Sequence, residues 1–117
     1  HAHNHLRLTG QVKSTLENLG TAVSGETFEF TKMYPEYITE AKTEGNKSAL
    51  LSFDYANKVE KIHAGLYQKA IGSLKNKQEL PKVEYYVCSV CGNTVENGAP
   101  DKCPICGSPK TVFMKIA

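Results

Sequence analysis

Val59-Glu60-Lys61-Ile62-His63 is the stretch on which the reading of the fold turns. Glu60 follows Ala56 by four residues, and His63 follows Glu60 by three and precedes Tyr67 by four. In a helix, both ionisable side chains therefore join the apolar stripe of Leu50, Phe53, Ala56, Tyr67, Ile71 and Leu74. Asn46 is a suitable N-cap for a helix starting at residue 46 or 47. Upstream, Leu16, Leu19, Val23, Phe30, Met33, Tyr37 and Ala41 recur at steps of three, four or seven, which predicts one long helix. Ser14 with Glu17 predicts a capping box at its start, and Gly45 its end. Pro35 predicts a kink rather than a stop, because the stripe continues past it. Glu26 lies on this stripe, three residues after Val23 and four before Phe30, and Glu29 is one turn further on.

Each motif alone has an ordinary explanation. A Glu-x-x-Glu is usually a solvated face, and a helical Glu-x-x-His often forms a simple hydrogen bond. Together, on the buried faces of two helices, they require something positive nearby, since desolvating an isolated carboxylate costs several kcal/mol or more.

The C-terminal segment carries a second signal. All four cysteines fall in Cys88-Ser89-Val90-Cys91-Gly92 and Cys103-Pro104-Ile105-Cys106-Gly107. Two such turns bring four thiolates to one point, a metal arrangement. Disulfide scaffolds usually spread their cysteines through the chain and carry a leader, and neither feature is visible. Spacing leaves zinc and iron open, because tetrahedral sulfur suits both. The polar run from Asn76 to Pro81 divides the chain into a helical part over 1–77, a linker over 78–84 and a cysteine-bearing part over 85–117.

Composition sets the outer limits. A chain of 117 residues leaves no room for a large multidomain enzyme. With 14 basic and 12 acidic residues, its net charge of +2 gives no argument for a nucleic-acid or polybasic membrane surface. No apolar run reaches transmembrane length. The chain opens on His1 rather than Met, which suggests a processed, cleaved or partly represented protein.

Tyr85 to Gly92 with Cys103 to Gly107 resembles rubredoxin, a small protein with one iron held by four thiolates. Two departures stand out: Asn93 sits where rubredoxins commonly have an aromatic, and the loop from Gly92 to Lys102 is shorter. The order of Gly25-Glu26-Thr27-Phe28-Glu29-Phe30-Thr31-Lys32-Met33-Tyr34-Pro35-Glu36, then Glu60-Lys61-Ile62-His63, then the cysteine turns resembles rubrerythrin across essentially the whole chain. That resemblance implies a mainly α protein with a small β and knuckle metal domain: a ferritin-like four-helix bundle, about half of it in this chain, followed by a rubredoxin-like domain. Residues 1–77 would hold the tail of the second helix and the third and fourth helices.

The resemblance further implies a cytoplasmic iron enzyme of air-sensitive organisms that reduces hydrogen peroxide to water. Glu26, Glu29, Glu60 and His63 would be ligands of a di-iron site, with Tyr34 as a hydrogen-bonding neighbour. His1 would stand in the histidine place of a preceding Glu-x-x-His, although His1, His3 and His5 also suit a tag remnant. Cys88, Cys91, Cys103 and Cys106 would hold one iron, with zinc as a substitute. Glu29 and His1 would exchange as ligands of one iron between redox states. The implied partners are a missing N-terminal helix pair from the same protein or another chain, a second copy in a homodimer, and an electron donor such as a rubredoxin or its reductase. The rival reading is a non-enzymatic zinc-ribbon binding module on a helical hairpin, which leaves the buried Glu26, Glu60 and His63 without explanation. Iron storage is a third reading, disfavoured because storage needs no attached one-electron carrier.

Overall fold

The computed structural model describes residues 1–79 and 82–116; residues 80 and 81 of the expected linker, and residue 117, lie outside the described residues. A short exposed helix, α1 (Ala2–Leu8), precedes α2 (Thr15–Phe28), α3 (Tyr34–Thr43) and the long α4 (Lys47–Lys75). The capping box at the start of α2 is present. The Ser14 hydroxyl accepts from the Glu17 amide at 3.3 Å, and the Glu17 carboxylate accepts from the Ser14 amide at 3.1 Å. At α4, Asn46 Oδ1 accepts from the Ala49 amide at 3.1 Å.

The long upstream helix is interrupted earlier than Pro35 predicts. Glu29–Met33 forms a π-helical turn, closed by the Tyr34 amide donating to the Glu29 carbonyl, and Pro35 then sits in the first turn of α3. The reason is steric and electronic: proline offers no amide to the preceding turn and crowds the carbonyl four residues back, whereas at a helix start neither matters. One expectation on the stripe is met only in part. Tyr37, read onto the buried stripe, is 39% exposed, while Ala41 is buried at 3%. The Tyr37 ring still packs 5.4 Å from Phe53.

α4 packs along α2 and α3, and Val59 and Ala64 are its most buried side chains. A three-stranded antiparallel sheet follows, in order β2-β1-β3, from β1 (Tyr85–Cys88), β2 (Thr94–Glu96) and β3 (Phe113–Lys115). Tyr86 pairs with Val95 on one side, and Cys88 with Phe113 on the other. Gly92 and Gly107 close the two cysteine turns with φ of +80° and +75°, a left-handed backbone that glycine enters without a Cβ clash. Their amides donate to the Cys88 and Cys103 carbonyls at 2.8 and 2.9 Å.

The sheet lies against α4. Lys69 Nζ is 2.6 Å from the Glu96 carboxylate, and a Cβ added at Gly92 would sit 3.8 Å from the Val59 side chain. Val59, 2% exposed, thus fills the space between α4 and the first cysteine turn. Val59→Ala should cost about 2 kcal/mol through lost burial and a residual cavity, read as a lower urea midpoint by circular dichroism. An unchanged midpoint would remove Val59 from the core of the assembly.

Candidate metal centres

Where α2 crosses α4, the ligand atoms of Glu26, Glu60 and His63 all lie within 4.8 Å of one another. His63 Nδ1 is 2.8 Å from Glu60 Oε2 and 3.7 Å from Glu26 Oε1, and the three side chains are only 16 to 24% exposed. The other ring nitrogen is also engaged. His63 Nε2 lies 3.1 Å from Thr94 Oγ1, and that hydroxyl donates to the Gly92 carbonyl at 3.2 Å. With its proton so committed, the Thr94 oxygen accepts from Nε2–H, and Nδ1 is the nitrogen turned to the carboxylates.

Electrostatics match this crowding. Burial, followed by the hydrogen bond and charge of Glu60, pushes the Glu26 carboxyl up to about 7. Burial and then the charges of Glu60, Glu29 and Glu26 raise the Tyr34 phenol, which keeps it neutral within reach of their field. Two half-buried carboxylates at hydrogen-bonding range can share only a proton or a cation. The set of carboxylate oxygens plus an imidazole nitrogen suits iron or zinc, so the residues fit a metal.

Two expected site residues fall outside this trio. Glu29, in the π turn, acts on Glu26 and Tyr34 through its charge, but its ligand atoms are not part of the group. His1 is exposed at the start of α1 and lies apart from it as well.

The second centre is sulfur only. Cys88, Cys91, Cys103 and Cys106 are free thiols whose sulfurs all lie within 4.8 Å of one another. Cys88 Sγ is 3.7 Å from Cys106 Sγ, and Cys91 Sγ is 3.6 Å from Cys103 Sγ. A tetrahedron with metal–sulfur bonds of about 2.3 Å has edges of about 3.8 Å, so the cage is sized for one ion. Burial pushes the Cys91 thiol up. Burial also opposes ionisation of Cys106, but hydrogen bonding to Ser108 and to the neighbouring thiols outweighs it and brings Cys106 down to about 6.

Comparison with known proteins matches residues 1–71 to the rubrerythrin family and residues 86–114 to the rubrerythrin rubredoxin-like domain. The chain belongs to the rubrerythrin family. Rubrerythrin-2 of Clostridium acetobutylicum is 40% identical over 98 residues, covering 84% of this chain and 53% of that protein. Nigerythrin of Nitratidesulfovibrio vulgaris is 33% identical over 96 residues, covering 82% of this chain and 46% of the relative. Solved nigerythrin, in partially reduced and in fully reduced, all-ferrous states, superposes with TM-scores of 0.81 and 0.80 at 31% identity, covering 90% of this chain. The chain spans about half the length of the curated relatives it matches. The fold is a mainly helical ferritin-like segment followed by a rubredoxin-like four-cysteine domain. Among the described residues, no helix is long and apolar enough to cross a membrane.

Thr94, which meets His63 across 31 positions, carries no signal in the sequence. Asn93 had a signal, as the residue in an aromatic's place, and the structure buries it beside Cys103.

The shared proton at Glu26 has a measurable consequence. An unfolded glutamate releases its proton near 4.5, whereas Glu26 in the folded chain holds it to about 7. The native state therefore binds more protons across that window, and stability falls as pH rises through it. The melting temperature of the metal-free protein should decline between these values, and Glu26→Gln should flatten the decline. An unaltered slope in the variant would remove Glu26 as its source.

Proposed function

We propose that the chain is part of a non-haem di-iron peroxidase that reduces hydrogen peroxide to water, with electrons passing through an iron held by the four cysteines. The observation that carries this reading is the half-buried convergence of Glu26, Glu60 and His63 beside a protonated Tyr34. When bound, the iron pair supplies electrons to the O–O bond, two protons and two electrons converting one peroxide to two waters. Glu26, Glu60 and His63 are the proposed ligands, joined by Glu29 from the π turn. Thr94 orients His63 by accepting from Nε2, which leaves Nδ1 for the metal. Tyr34, raised away from ionisation, is assigned the role of a neutral hydrogen-bond donor to the site.

Cys88, Cys91, Cys103 and Cys106 form a closed set with no open position, which suits electron transfer and not peroxide binding. Nigerythrin, solved in several redox states, supports an iron centre that changes oxidation state. Completion of the di-iron site is assigned to a further helix pair bearing a glutamate and a Glu-x-x-His, from the same protein or another chain, with His1 as one ligand position. Leu16, Phe28 and Leu51, at 41 to 52% exposed, support such a covering segment. A homodimer and a rubredoxin or rubredoxin reductase as electron donor complete the proposed assembly, in a cytoplasmic setting.

Metal analysis of the assembled protein should give about three iron per subunit, whereas one zinc would favour a binding module. Glu60→Ala should lower peroxide turnover by roughly 100-fold or more and leave the red absorption of the four-cysteine iron intact. Cys88→Ser should do the reverse to the colour while keeping helical circular dichroism. Full turnover in Glu60→Ala would end the di-iron assignment.

A further inference from the structure

Asn93 is 1% exposed, the most buried polar residue among those described, and it reaches three of the four cysteines. Its carbonyl accepts from the Cys88 amide at 2.9 Å, and its own amide donates to the Cys91 sulfur. Its side-chain Nδ2 donates to Cys103 Sγ at 3.7 Å, and Cys103 is itself 2% exposed. Any residue but proline at this position supplies the two backbone contacts. The side-chain contact needs an amide.

The amide is kept at a cost. Asn93 Oδ1 is buried with no hydrogen-bond partner, an arrangement that an aliphatic side chain of similar volume avoids. Reversing the amide would aim oxygen lone pairs at a sulfur that carries negative charge in a metal centre, so the N–H end is the one that belongs there. The only other side-chain polar contact to these sulfurs among the described residues is Ser108, 3.2 Å from Cys106 and less buried. At 1% exposure, Asn93 is shut off from the solvent that could otherwise supply a donor.

We propose that Asn93 is a positioning residue that sets the reduction potential of the four-cysteine iron, holding it up by donating to Cys103. The inference rests on the reading of that centre as an iron site. One-electron reduction takes ferric iron to ferrous and makes the four-thiolate cluster more negative by one charge. A fixed N–H donor in a dry, low-dielectric position stabilises the more negative form and so favours reduction.

The test uses the iron-loaded full chain, titrated with redox mediators while the visible thiolate-to-iron band is followed. Asn93→Leu removes the donor at nearly constant volume. It should lower the one-electron reduction equilibrium constant roughly tenfold, a fall in midpoint of about 59 mV, and Asn93→Asp should lower it further by adding negative charge. A midpoint unchanged in Asn93→Leu, with the red iron band present, overturns the role of Asn93 and leaves the iron reading standing. If the unaltered protein takes up no redox-active iron, the iron reading fails and the proposal falls with it. Because the leucine variant can fail to fold, a second measurement uses unaltered protein loaded with cadmium-113. The Asn93 side-chain amide protons should show scalar coupling to the cadmium through Cys103, and absence of that coupling overturns the proposal.

Discussion

Two carboxylates, each less than one-fifth exposed, meet across the seam of α2 and α4, and most of the helical segment can be understood as an answer to that confrontation. Glu26 and Glu60 repel when both are charged, so the metal-free seam holds a proton between them. A helix pair selected for stability alone would carry leucines at these positions. Retaining acids there, with His63 turned to the same point and the Tyr34 phenol in their field, makes sense when a cation is to occupy it.

The same imidazole ties the two metal centres together. Glu60, His63, Thr94 and the Gly92 carbonyl form one run of hydrogen bonds from the helix to the backbone beside Cys91. Lys69 and Tyr85 converge on Glu96 a few residues away and reinforce the docking of the sheet. The small sheet therefore does more than carry cysteines. Through Thr94 it orients a histidine on another element.

Much of this was legible because the signals are local. Caps at Ser14 and Asn46 act within three residues, and the cysteine turns are self-contained. The position of Glu26, Glu60 and His63 on the apolar stripes follows from helical geometry, which brings them together once α2 and α4 pack. What escaped was of another kind. Thr94 meets His63 only through tertiary docking, and a threonine in a short strand carries no mark of it. The π turn escaped because Pro35 accounts for a break but not for where the chain accommodates it. Tyr37 does share the face of Ala41 and packs on Phe53, but its larger ring reaches past that contact and stays 39% exposed.

That turn also changes the angular arithmetic of the site. An α-helix advances about 100° per residue, so Tyr34, eight positions after Glu26, would stand about 80° away from it around the axis, and about 140° from Glu29. The wider π turn absorbs one residue, so eight steps rotate the chain as about seven do, and the offset from Glu26 shrinks to about 20°. The phenol consequently comes within electrostatic reach of all three carboxylates. Seen this way, the bulge is a phase shifter: one surplus residue in the backbone rotates a tyrosine into register with acids two turns away, and no side chain had to change for it to do so.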